Sequence, residues 1–231
     1  MRTEEKPNGS TLHVTVMGSS QVGKSALAVR YLTKRFIGEY RSDSDMLYKC
    51  VLQLDGIPQP VEIMDTSASC EESSDAHLQW ADAFVVVYSI TDKDSFQWAA
   101  STIQELQERR PSARVLLLGN KSDLGHLREV EEVEASTLAL RYSTHFSELS
   151  TAESCEAVTD ALDAYLKEIK IQRHHSGLSS GNVSPKQRKL SVTRMLGSLI
   201  GRHSPPPQPI TELIVLDKEE RSKLVRCSRQ I

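Results

Sequence analysis

Along the first 171 residues, short apolar runs alternate with stretches whose apolar positions recur every three or four residues. "LHVTVM" (12–17) reads as a strand and the region from Lys24 to Arg35 as a helix. "YKCVLQL" (48–54) and "PVEIMD" (60–65) read as two strands joined at Asp55-Gly56, a dipeptide suited to the tight hairpin turn. "AFVVVYSI" (83–90) is apolar throughout, as a strand covered on both faces must be. A helix over about 94–109 stops ahead of Pro111, and "ARVLLLG" (113–119) is a second buried strand. The pattern continues with a helix over about 130–141, a short strand "HFSEL" (145–149) and an amphipathic helix over about 154–171. Six strands alternating with crossover helices predict an α/β fold. Its sheet is doubly wound and mainly parallel, with helices on both faces and one antiparallel edge from the hairpin. Ligands in such sheets sit at the carboxyl ends of the strands.

After residue 171 the periodicity stops. "QRHHSGLSSGNVSPKQRK" and "RHSPPPQP" are rich in Ser, Gly, Pro and basic residues. The chain is therefore expected to comprise a short polar segment (1–11), one domain (12–171) and a flexible basic tail (172–231). Charge sharpens the division. Overall it is −3, yet residues 172–231 hold eleven Lys/Arg against four Asp/Glu, net +7, leaving net −10 for the rest. Within the tail, Val192, Met195, Leu196, Leu199 and Ile200 share a helical face, with Arg188, Lys189, Arg194 and Arg202 around it. An amphipathic helix over 185–202 would suit an anionic membrane or a partner protein, although Gly197 and Gly201 each weaken it by roughly 1 kcal/mol.

The four cysteines are scattered, with no CxxC pair, which argues against zinc and for free thiols in a reducing compartment. The first residues lack an apolar signal core, and no apolar run is long enough to span a bilayer. The expectation is a soluble cytoplasmic protein, with peripheral membrane or nuclear association left open. His174-His175 in a polar stretch reads as solvated rather than metal-binding, and no aromatic residue interleaves the tail's charges to stack bases, so no nucleic-acid role is expected. Trp80, at helical spacing from His77 and just before a buried strand, reads as core.

Two motifs carry chemistry. "GSSQVGKS" (18–25) follows the first strand and matches G-x-x-x-x-G-K-[ST]. Gly18 and Gly23 let successive N–H groups turn toward an anion, Lys24 adds a charge for the outer phosphates, and the Ser25 hydroxyl can ligate Mg²⁺. The helix that follows aims its positive end at the same point. Ser20, Gln21, Val22 and Ala26 complete the set expected to touch the nucleotide. "LLLGNKSD" (116–123) places Asn120, Lys121 and Asp123 at a strand end. A carboxylate there accepts two hydrogen bonds from guanine N1–H and its amino group. Adenine offers neither, and a desolvated carboxylate left unpaired discriminates strongly. The Lys121 stem can cover the ring. Asp65, leaving the end of an apolar strand, can hold a metal ion near a phosphate.

With Asp65-Thr66 between them, these motifs make residues 12–171 resemble the Ras-like small GTPases, whose fold is the P-loop NTPase small G domain. "TKRFIGEY" (33–40) is similar to the Ras-related and estrogen-regulated growth inhibitor branch. The resemblance implies that Phe36 packs on the guanine edge and that Ser150, Thr151 and Ala152 offer backbone N–H groups to its carbonyl. It implies GTP or GDP bound with Mg²⁺, ligated by Ser25 directly and by Asp65 through water. Lys24 would serve the transferred phosphate, and effectors and regulators would read the loops 36–45 and 65–78.

The sequence departs from the family at the γ-phosphate. Asp43 stands where a threonine is expected, Ala68 replaces a glycine, Ser69 replaces the water-orienting glutamine, and Ser20 stands where Ras has glycine. Asp43 would repel the phosphate unless it turns away in favour of Ser42 or Ser44. Ser69 is too short for the glutamine's role, and Glu71 is an alternative water positioner. The expectation is a monomeric switch with slow GTP hydrolysis. A nucleotide-bound scaffold that no longer switches is the alternative, and an ATPase or P-loop kinase is disfavoured by Asp123. Cys227 lies fifth from the end, not fourth, so no prenyl anchor is expected.

Overall fold

A computed structural model of the chain describes residues 10–36, 45–66, 75–178 and 212–216. Strand β1 (Leu12–Met17) leads into helix α1 (Lys24–Thr33). Strands β2 (Asp45–Leu54) and β3 (Ile57–Asp65) form the expected hairpin. Its turn residues Asp55 and Gly56 have φ of 55° and 74°, the double left-handed geometry whose twist matches the flanking strands. The short helix α2 (Asp75–Trp80) precedes β4 (Ala83–Ser89), every residue of which is buried. Then come α3 (Lys93–Arg109), β5 (Arg114–Asn120), a 3-10 turn over Ser122–Leu127, α4 (Glu132–Arg141), β6 (His145–Glu148) and α5 (Cys155–Leu178). Helix α3 starts where the Asp92 side chain accepts from the Ser95 N–H at 3.0 Å, one of the donors that a helix start otherwise leaves unsatisfied.

The strand order is β6-β5-β4-β1-β3-β2-β7, parallel from β6 through β3 and antiparallel at β2. This is the expected six-stranded, doubly wound sheet with one addition. The sheet separates two cores. On one face α1 (Leu27, Tyr31) and α5 (Leu162, Leu166, Ile169) pack on Val14, Val85 and Leu118. On the other, α3 (Phe96, Ile103, Leu106) and α4 (Ala135, Ala139) pack on Phe84, Val86 and Leu117, joined by α2 through Leu78 and Trp80. Trp80 is core, 5% exposed and stacked on His13 at 4.6 Å.

The structure corrects the sequence reading in the tail. The boundary expected at 171 falls inside α5, which runs on to Leu178. Beyond it, β7 (Glu212–Leu216) pairs antiparallel with β2 as a seventh strand, within the segment expected as a flexible basic tail. The segment proposed as an amphipathic helix, 185–202, and Cys227 lie outside the described residues. Among the described residues, no helix is long and apolar enough to cross a membrane.

Candidate functional site

The loop between β1 and α1 lies at the carboxyl ends of β1, β4 and β5, where the topology predicts a ligand. Val22 is fully buried and pins the loop to the core. Gly18 lies so close to the end of β4 that a Cβ would stand 2.4 Å from the Val87 carbonyl oxygen. Gly23 has φ 98°, and a Cβ there would meet Asn120 Nδ2 at 2.3 Å. Both positions need glycine for space. The Lys24 ammonium is buried and donates to the Gly18 and Ser19 carbonyls, each at 2.8 Å. Burial lowers its pKa, and the carboxylates of Asp65 and then Asp45 partly oppose that. Ser20 and Gln21 are exposed at the loop tip. Because α1 begins at Lys24, the N–H groups of Lys24, Ser25 and Ala26 belong to the first turn and have no carbonyl partner within the helix. The loop therefore presents a cation and a helix start to one place, which suits an anion.

At the end of β5, Asn120 is 3% exposed and does more than touch a ligand. Its Nδ2 donates to the Val22 carbonyl at 2.8 Å, and its Oδ1 accepts from the Thr151 N–H at 3.0 Å and the Thr151 hydroxyl at 2.8 Å. One buried amide thus fastens the phosphate loop, β5 and the β6–α5 loop together. The Thr151 N–H is engaged in this fastening, and Thr151, Ser150 and Ala152 adjoin one another on the β6–α5 loop. Ser150 is buried, with its hydroxyl accepting from the Glu153 N–H at 3.1 Å, while Ala152 is exposed. Lys121 adopts φ 66° and starts the 3-10 turn that carries Asp123 outward, exposed to solvent. Phe36 is 44% exposed beyond α1.

On the other side of the loop, Asp65 leaves β3 buried at 4% exposure. The Ser25 hydroxyl bonds to its carboxylate, yet Asp65 Oδ1 has no hydrogen-bond partner among the described residues. Burial pushes the Asp65 pKa up to about 6; the Ser25 bond and the Lys24 charge pull it down, and Asp45 adds to the rise. A buried carboxylate with a vacant oxygen beside a hydroxyl fits a hard divalent cation, so the Ser25 and Asp65 assignments suit Mg²⁺. Among the described residues no group of three or more His, Cys, Asp or Glu could hold a metal by itself, so a cation here would draw most ligands from phosphate and water. Thr66 anchors the strand exit, its N–H and hydroxyl both donating to the Val16 carbonyl at 3.2 and 3.0 Å.

Near this carboxylate the expected loops 36–45 and 65–78 meet through a contact that the sequence reading did not foresee. Asp45, the first residue of β2, is fully buried, and its Oδ2 lies 3.6 Å from Nε2 of His77 on α2. The pair ties the strand that follows residues 36–44 to the helix that follows residues 67–74. Asp45 belongs to the stretch expected as loop 36–45, so only packing reveals its burial. Asp43, Ala68, Ser69 and Glu71 lie outside the described residues.

A family model described as "Ras family" matches residues 13–171. The chain is 40% identical over 197 residues to the Ras-related and estrogen-regulated growth inhibitor-like protein of Bos taurus, covering 76% of this chain and 97% of that protein. It is 36% identical over 177 residues to Ras-like protein family member 11A of Homo sapiens, covering 72% and 73% of the two chains. Ras-like protein family member 11B of Danio rerio matches at 34% over 200 residues, 81% and 82%.

Proposed function

From the premise that this chain belongs to the Ras family, we propose that it is a guanine-nucleotide switch that binds GTP and GDP with Mg²⁺ and hydrolyses GTP slowly. Family membership supports the guanine nucleotide and signalling role. One observation carries the site: Asn120 locks the phosphate loop to the base-facing loops, so one ligand spans Lys24 and Asp123. Asp123 receives the two guanine donors, Lys121 covers the ring, and Lys24 and the first turn of α1 hold the phosphates. A bound Mg²⁺ neutralises charge between the phosphate oxygens, and Ser25 and Asp65 are the residues to hold it.

Slow turnover follows from chemistry at residues 43, 68 and 69. Hydrolysis needs a group that orients the attacking water, and Ser69 cannot extend as far as a glutamine amide. By analogy with loss of one positioned donor, the deficit is about 10²–10³ in rate. The effects of Asp43, Ala68 and Ser69 fall on one apparatus and do not add.

The nucleotide released on denaturing the purified protein, identified by chromatography, tests the reading. Guanosine di- or triphosphate supports it; empty protein that ignores labelled guanine nucleotides in excess Mg²⁺ refutes it. Single-turnover cleavage of bound GTP tests the rate separately. A second reading, a nucleotide-bound scaffold that does not switch, is favoured by Asp43 and Ala68. A partner with equal affinity for both nucleotide forms would establish the scaffold, since equal affinity shifts no equilibrium.

A further inference from the structure

The tail strand β7 covers an edge whose hydrogen-bonding phase can be worked out from the hairpin. In a two-residue turn the Leu54 carbonyl accepts from the Ile57 N–H, so Leu54 and Ile57 form a hydrogen-bonded pair. The register runs without a break from there to Met46 opposite Asp65. Hydrogen-bonded and non-hydrogen-bonded pairs alternate along it, so even-numbered residues of β2 bond to β3. The prolines agree. Pro58 lies opposite Gln53 and Pro60 opposite Val51, positions where no N–H is required toward β2. The N–H and C=O groups of Asp45, Leu47, Lys49, Val51 and Gln53 must then point away from β3.

That outward row is a bare sheet edge, the kind of surface that recruits another strand. In this chain Leu216, Ile214 and Glu212 stand opposite Asp45, Leu47 and Lys49. The "ELIVL" of β7 has four apolar residues and neither Pro nor Gly, in a segment otherwise Ser-, Pro- and Lys/Arg-rich. It is the sort of sequence that pairs with an edge. Residues 179–211 lie between it and α5 in the sequence, so the pairing with β2 is long-range. The covered end of β2 is the end next to residues 36–44, and Asp45 is also the residue that meets His77.

We propose that Glu212–Leu216 is a displaceable internal strand that caps the open edge of β2, and that a partner's extended apolar segment reaches this edge only by taking its place. Main-chain hydrogen bonds give such an added strand its affinity, and the chain's own strand competes at the high effective concentration of a tether. The proposal stands independently of the nucleotide, since it concerns the edge and not the phosphate loop.

The phase analysis makes the test specific. Full-length protein carrying Ile214→Pro loses the N–H that faces β2, whereas Val215→Pro removes one that faces outward. Residue-resolved amide exchange by NMR should show Leu47 and Lys49 exchanging ~10-fold faster or more in Ile214→Pro. Tyr48 and Cys50, bonded to β3, should stay as in wild type, and Val215→Pro should stay near wild type throughout. A fluorescent peptide of residues 210–218, "ITELIVLDK", should bind the Ile214→Pro protein and be excluded from wild type. Equal exchange of Leu47 and Lys49 in Ile214→Pro and wild type overturns the cap. So does protection that appears only with dimerisation on raising concentration, which would mean a strand exchanged between copies. A peptide that binds wild type equally, or ignores both proteins, overturns the claim that the cap controls access.

Discussion

Around the phosphate loop and the base-facing end of β5, buried polar groups bond to one another: the Lys24 ammonium to two carbonyls, and both ends of the Asn120 amide to separate loops. At the exit of β3, Asp65 keeps an oxygen with no hydrogen-bond partner among the described residues, beside a second buried carboxylate, Asp45. In the first region the Lys24 and Asn120 side chains are held by partners within the protein, although the Ser19 hydroxyl beside them has none among the described residues. The second carries a desolvation cost that a bound cation would relieve. It also adjoins residues 36–44 and 67–74, where the sequence leaves the Ras-like pattern. Under the proposed function, holding and sensing would rest on different physics, and substitutions can separate them.

The largest effect belongs to Asp123→Ala. Because Asp123 is exposed and outside the fastening network, stability should stay within about 0.5 kcal/mol of wild type. The preference for guanine over adenine nucleotides should fall by about 10⁴, the range for sites built around specific donors. Competition titrations with the two nucleotides measure it. Asn120→Ala acts on the fold as well. It strands the Thr151 N–H and the Val22 carbonyl in a buried setting, and should cost about 2–4 kcal/mol in denaturant unfolding. Gly23→Ala should weaken nucleotide binding in the same direction, since its Cβ lands 2.3 Å from the Asn120 amide.

Asp65→Asn should have the opposite sign. The folded-state pKa of Asp65, about 6, lies above the ordinary carboxylate value. The ionised form is therefore disfavoured by folding, and stability from this group falls as pH rises from about 4 through 6. A neutral isostere should raise the stability of nucleotide-free protein by about 1–3 kcal/mol at pH 7.5. The same change should abolish the slowing of nucleotide release by Mg²⁺. If stability falls instead, Asp65 serves the fold, and the contrast between the two regions fails.

How much of this was legible depends on distance along the chain. The strands were readable because β4 and β5 are continuous apolar runs, and the phosphate loop because its residues are contiguous. The fastening role of Asn120 was not readable, because its partners Val22 and Thr151 lie 98 and 31 residues away. Helix α2 has six residues, too few for a period to show. Helix α5 overran its expected end because the polar residues after Ile171 permit a helix that composition had counted as tail. Strand β7 was hidden by its surroundings: averaged over a basic, Pro-rich segment, five residues vanish, and their pairing with the edge of β2 shows only in the fold.

The smallest effect tests whether the holding region is special or merely glycine-rich. Gly56 has φ 74°, like Gly23 on the left-handed side, but a Cβ there meets no atom within 4 Å. Gly56→Ala therefore pays only for backbone strain, about 1 kcal/mol of stability. The hairpin register is held by nine residue pairs from Leu54–Ile57 to Met46–Asp65, so the strain stays at the turn. Guanine-nucleotide affinity should then match wild type, whereas Gly23→Ala loses it by steric contact with Asn120. Should Gly56→Ala weaken nucleotide binding as much as Gly23→Ala, the two glycines act through general stability, and the cradle is no more rigid than the turn at the far end of the hairpin.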